Sequence, residues 1–168
     1  MRIHGILPAL ILLLLGLSGT HAGAQEAPVI GELSSIDRQY MQRQRDGIAE
    51  LAAQHFGVRF SGTKDNDLGL LQRLLDEQVV VNQQTRELQA MGVILGDLLA
   101  AEYGLHWVIY SDKLGRSHAL RYRDSDNYLF PVTMISRRRE AGNLTPVADI
   151  YARAGAAISE SIPALPFQ

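Results

Sequence analysis

The chain has 168 residues, of which 46% are hydrophobic, and it carries no cysteine. Sixteen Lys and Arg stand against eighteen Asp and Glu, a formal net charge of −2. That length suits one domain with a real core, the apolar content excludes an intrinsically disordered chain, and the acidic balance gives no electrostatic case for nucleic acid. The missing cysteines exclude disulfides, thiol catalysis, Cys-type zinc sites and lipid attachment through a thiol.

The N-terminal residues read as an export signal. Arg2 gives a positive start and Ile6 to Leu17 is apolar, shorter than the roughly 20 residues a bilayer span needs. Ala22-Gly23-Ala24 supplies the small residues of a cleavage site. Residues 1–24 are therefore expected to be a signal peptide, with the mature chain beginning at Gln25 in the periplasm. Removing Arg2 takes the net charge from −2 to −3. No membrane anchor is expected once the signal is cleaved. Residues 25–33, with Pro28 and Gly31, read as a mobile leader.

A single α+β domain is expected over 34–162. Ser34 or Ser35 caps a first helix, with Asp37 completing a capping box. Ile36, Tyr40, Ile48, Leu51, Ala52, His55 and Phe56 recur at helical spacing, and Gly57 stops the helix. A loop over 58–66 leads to a second helix from about Asp67 to Gln78, striped by Leu68, Leu71, Leu74 and Leu75 and weakened by Gly69. Val79 to Val81 reads as a connector. Thr85 is the expected N-cap of a third helix whose apolar face is Leu88, Met91, Leu95, Leu98 and Leu99, ending at Gly104. Gly92 and Gly96 lie four apart on this helix, and Asp97 and Glu102 exclude a membrane span. The glycine pair therefore marks a close approach of another backbone.

The period then changes. Leu105 to Ser111 is rich in β-branched and aromatic residues, and Ser117 to Arg123 follows it after Asp112-Lys113-Leu114-Gly115-Arg116, which predicts a hairpin over about 105–123. Tyr128 to Val132 is a possible third strand, with Pro131 at an edge or at a helix start. A short helix is expected from Met134 to Glu140, stopped by Gly142. The last helix has Thr145 as N-cap, Pro146 at its first position, and Val147, Ile150, Tyr151, Ala154 and Ile158 as its stripe. Residues 163–168, with Pro163 and Pro166, form an irregular tail. The expected architecture is α+β: helices packed on one face of a small antiparallel sheet, with a C-terminal helix.

The order Leu88-Gln89-Ala90-Met91-Gly92-Val93-Ile94-Leu95-Gly96-Asp97, Glu102, Trp107-Val108, Ala119-Leu120-Arg121 and Phe130-Pro131-Val132-Thr133-Met134-Ile135-Ser136-Arg137-Arg138 resembles the bacterial family called domain of unknown function 3806. The resemblance implies an envelope-associated α+β domain. It brings no reaction, substrate or catalytic residue with it.

The candidate site residues come from the hairpin and its neighbours. With Ser111 opposite Ser117, Trp107 faces Arg121, so that an anion-gripping guanidinium would sit beside an aromatic wall; the alternative is a core indole covered by the arginine stem. Tyr110 and Tyr122 add interface-type aromatics. Arg137, with Arg138 and Arg139, reads either as a basic patch for an acidic partner or as an exposed helix end favoured by the dipole.

Asp97 and Glu102 form the alternative acid–base pair, but a spacing of five turns them about 140° apart around a helix. His106 and His118 are expected on the face of Val108, Tyr110, Leu120 and Tyr122. They lack a third metal ligand, and His55 lies on the first helix. No nucleophile elbow or phosphate loop is present.

No cofactor and no metal are called for. The function expected is a non-catalytic periplasmic module that binds a protein or a cell-wall component. Two other classes remain open: an envelope glycan- or peptide-acting enzyme using Asp97, Glu102 or a histidine, and a subunit self-associating through Gly92 and Gly96.

Overall fold

The computed structural model describes residues 27–162. The expected signal peptide and the tail at 163–168 lie outside the described residues. The chain runs β1 (Val29–Glu32), α1 (Ser35–Phe56), α2 (Lys64–Asp76), α3 (Thr85–Tyr103), β2 (Leu105–Asp112), β3 (Gly115–Tyr122), β4 (Tyr128–Leu129), a 3-10 turn (Pro131–Thr133), α4 (Ser136–Glu140) and α5 (Val147–Ser159). The four strands form an antiparallel sheet in the order β1-β2-β3-β4. No helix among the described residues is long and apolar enough to cross a membrane. The fold is α+β, as the periodicity predicts.

Local chemistry sets the helix ends. Ser34 is the N-cap of α1 and makes a reciprocal capping box with Asp37, while Gly57 closes the helix in the left-handed region at φ 68°. α3 ends on Gly104 in the same way. Thr85 is the first residue of α3, after Gln84 at the cap, so it does not cap the helix as expected. α5 also lacks the Thr145 cap. Pro146 occupies the cap position, and the Val147 N–H donates instead to Gln72 Oε1 of α2 at 2.8 Å. An orphan donor at the start of one helix is thus satisfied by the side chain of another.

α3 is the central element. Leu88, Ala90 to Gly96, Leu98 and Leu99 are all buried, and the helix packs against every other helix and against β2 and β3. Its two glycines mark separate close approaches. A Cβ on Gly92 would meet the Val132 carbonyl oxygen at 2.5 Å, and one on Gly96 would collide with the Trp107 indole. The predicted backbone approach is therefore real at Gly92, and at Gly96 the neighbour is an aromatic ring. The space over both glycines is filled from within the chain.

The helices cover one face of the sheet. Leu105, Trp107, Leu120, Tyr122 and Leu129 point into the helical core. The opposite face carries Val108 and Ala119, both buried, with the rings of Tyr128 and Phe130 at 5.1 and 5.2 Å from Tyr110.

Three further expectations are corrected. First, Val29–Glu32, read as part of a mobile leader, is an edge strand paired to β2, with Ile30 opposite Tyr110. A Pro- and Gly-bearing segment can still pair when its β-branched residues meet an open edge. Second, α2 begins at Lys64, because Asp67 turns inward to organise the preceding loop. Third, the hairpin register differs by one residue. Asp112 pairs with Gly115 across a two-residue Lys113-Leu114 turn, so Trp107 lies opposite Leu120 and Arg121 opposite His106. One step moves every side chain relative to its partners.

Candidate functional site

A cleft of about 310 Å³ opens between α1, α3 and the loop leading into α2. Arg45, Asp46 and Ala49 come from α1, Ile94, Asp97, Leu98 and Ala101 from α3, Phe60 and Gly62 from the loop, and Asp67 from α2. Each polar group is held in place. Asp67 is buried; its carboxylate accepts from the Ser61 and Gly62 amides at 2.8 and 2.9 Å and from Asn66 Nδ2 at 2.8 Å. Gly62 reaches this position at φ 77°, a backbone region other residues avoid. The loop is therefore wrapped around one carboxylate, and Phe60 is set at the cleft wall.

Across the cleft, Arg45 binds Asp97 side-on. Nε donates to Oδ2 at 2.6 Å and Nη2 donates to Oδ1 at 2.8 Å. Trp107 Nε1 donates to the same Oδ1 at 3.0 Å. The side chains of Arg45 and Asp97 remain 28% and 34% exposed, so the pair faces solvent through the cleft. The Asp97 carboxylate holds the Arg45 guanidinium above its ordinary pKa. A guanidinium has five N–H donors, and the side-on pair takes two of them. The end-on fork, one N–H from each terminal nitrogen, has no partner among the described residues.

The structure brings Trp107 to Asp97, two residues singled out separately in the sequence. It separates the rest. Trp107 and Tyr122 face the core, whereas Tyr110 and Arg121 are on the outer face. Arg121 does not present a free anion grip: Nε donates to the Ser125 carbonyl and Nη2 to the Asp124 carbonyl, each at 2.7 Å, so it braces the turn after β3. Arg137 is exposed on α4, but its neighbour Arg139 is buried and Arg138 Nη1 donates to the Met134 carbonyl at 2.6 Å. The arginine run is thus only partly the exposed helix end the sequence suggested.

Glu102 lies outside the cleft lining. It accepts from the Tyr151 hydroxyl at 2.8 Å and pairs with Lys64 at 3.0 Å. These two contacts, the tyrosine first, hold its carboxyl below the usual range, while burial and then Glu102 push the Tyr151 hydroxyl up. Asp97 and Glu102 therefore serve two separate networks.

The histidines do not converge either. His106 is exposed on the outer face of the sheet, whereas His118 lies on the helix-facing side, which corrects the shared face expected for them. His118 stacks on Tyr40 and lies 3.4 Å from Asp37 Oδ1, and burial holds its imidazole below the ordinary value. No group of three His, Cys, Asp or Glu is placed to hold a metal ion among the described residues.

Arg45, Phe60 and Asp67 were not singled out in the sequence. Arg45 carried a signal: Met41, Arg45, Ile48 and Ala52 follow one helical stripe, so a charge sits where the core pattern expects an apolar side chain. Asp97 is the counterpart, an acid flanked by Leu95, Gly96, Leu98 and Leu99.

No curated protein matches this chain. Among solved structures, one from Bacteroides thetaiotaomicron VPI-5482 superposes with a TM-score of 0.69 at 18% identity, over 79% of this chain and 49% of its own. The chain thus spans about half the length of that protein, and the likeness shows a shared fold. The family described as Domain of unknown function (DUF3806) matches residues 67–151, from Asp67 in α2 to Tyr151 in α5. The matched segment contains Asp67, Asp97 and Trp107, while Arg45 on α1 precedes it. On this match the chain belongs to the DUF3806 family.

Proposed function

We propose that this protein is a periplasmic binding module, exported by a signal peptide cleaved after Ala24, that recognises a protein or cell-wall component in the cleft between α1 and α3. One observation carries the reading. Arg45 is fixed by the two bonds it donates to Asp97, and it lines an open cavity with its remaining fork unpartnered among the described residues. A charged group pinned by a neighbour is a pre-organised recognition element, because little freedom is left to lose on binding.

The enzyme reading, with Asp97 as acid–base group, is less well supported. Asp97 already accepts three hydrogen bonds, two of them from Arg45, and Glu102, the other carboxylate of that reading, lies outside the cleft lining.

The test uses the mature protein and periplasmic extract divided by molecular size. Ligand that binds the native state raises the melting temperature. One fraction is expected to raise Tm for the wild type and to leave Arg45→Lys unmoved, since lysine keeps the charge but lacks the fork. A rise of equal size in both proteins, or none in either, contradicts the cleft as the binding site. Export is read separately: the periplasmic form is expected to begin at Gln25, and a cytoplasmic chain retaining Met1 would overturn that part.

A further inference from the structure

We infer that the cleft takes a neutral secondary amide, with its carbonyl on the Arg45 fork and its N–H on an aspartate of the cleft. The inference rests on the binding reading above and narrows its ligand.

Charge selects the class. The cleft lining holds one arginine against three aspartates, Asp46, Asp67 and Asp97. A carboxylate or phosphate would gain Arg45 but meet a net negative surround, and like charges in a partly desolvated site repel. A free ammonium would suit the acids but has nothing to offer the guanidinium fork. An amide answers both, because its oxygen accepts from the Arg45 N–H groups and its N–H donates to a carboxylate.

Two acceptors remain for that N–H. Among the described residues, Asp97 Oδ2 receives only Arg45 Nε, and Asp46 receives only Gln42 Nε2, on Oδ1 at 2.8 Å. Asp67 is committed to its own loop. The rest of the lining is Gly62 with Phe60, Ala49, Ile94, Leu98 and Ala101, an apolar wall suited to a methyl or short alkyl group beside the amide. A volume of about 310 Å³ is at the small end of ligand pockets and limits the occupant to a group of one or two short residues. An alanine-type peptide and an N-acetylated amino sugar share this chemistry.

The molecule contains its own reporter. Trp107 is the single tryptophan of the chain, and its indole N–H donates to Asp97 at the cleft. In a 1H–15N spectrum of the mature protein, the indole resonance is followed during four titrations in the millimolar range. The probes are N-acetyl-alanyl-alanine methylamide, N-acetylglucosamine, alanine as a free acid without an amide, and acetate.

A saturable shift with the blocked peptide or with the amino sugar is expected, and whichever of the two acts names the source of the amide. Arg45→Lys, checked for an intact spectrum without ligand, is expected to weaken binding about tenfold or more, the scale of a lost hydrogen bond to a charged group, and a like loss in Asp46→Asn assigns the amide N–H to Asp46 rather than to Asp97. A shift with acetate or the free acid and none with either amide overturns the amide assignment and leaves the cleft as a binding site. No shift with any probe overturns both. Equal binding by wild type and both variants places the ligand elsewhere and overturns the inference as well.

Discussion

Asp37 is the most heavily coordinated acid at the sheet–helix junction. Its carboxylate accepts the Ser34 hydroxyl at 2.6 Å and two contacts from Arg116 Nη2 at 2.8 Å, and His118 lies beside it. The Ser34 bond first, then Arg116, hold the carboxyl well below the usual carboxylate range. A depressed folded pKa contributes stability that is present above the unfolded value of 3.8 and is lost as the pH falls through the folded value. His118 is also depressed, by burial, so its contribution is present above about pH 6.5 and is lost as the imidazole charges below that. The two windows separate. Urea unfolding across pH is expected to show a first decline below about pH 6.5 that His118→Phe removes, and a second below about pH 4 that Asp37→Asn removes. Asp37→Asn is also expected to cost about 1–3 kcal/mol at neutral pH, by unpairing Arg116 and the cap. An unchanged acid limb in both variants would contradict these roles.

At the scale of elements, glycines and caps give sharper contrasts than the apolar stripes do. Gly96→Ala places a methyl against the Trp107 ring and Pro131, and is expected to destabilise by about 1–3 kcal/mol. Gly69→Ala on α2 meets open space and is expected to stabilise by about 0.5–1 kcal/mol through helix propensity. Thermal melts of the two variants should therefore move in opposite directions. Gln72→Ala removes the partner of the Val147 N–H, and is expected to cost about 1 kcal/mol while α2 itself stays intact.

What could be read from the sequence divides along the same line. The capping box of Ser34 and Asp37, the stops at Gly57 and Gly104 and the stripe of α3 were legible because each lies within a few residues of its partner. The Gln72 cap was not, because its acceptor and donor are 75 residues apart. The hairpin register was not legible either: Lys113-Leu114 lacks the Asn-Gly or Asp-Gly signature that fixes a two-residue turn. The Trp107–Arg121 pairing was built on that register, so it fell with a single-residue shift.

For the whole molecule, the central fact is asymmetry. The helices and the main core occupy one side of the sheet, and the other carries Val108, Ala119, Tyr110, Tyr128 and the following Phe130. The cleft lies on the helical side, where α1 and α3 are clasped by Arg45 and Asp97 across 52 residues of sequence. The sequence held half of that site in plain view, Asp97 and Trp107, and hid the other half in an arginine on an apolar stripe. Long-range pairing of that kind follows from packing and has no local signature.

The most direct measurement is photo-crosslinking in the intact cell, with a photoreactive residue placed at Ala49 on the cleft or, as a control, at Leu114 on the exposed hairpin tip. Recognition through the cleft predicts one dominant envelope adduct from the Ala49 position, absent from the Leu114 position and lost when Arg45→Lys is added. The same adduct from both positions, or an Ala49 adduct that survives Arg45→Lys, would contradict recognition through the cleft.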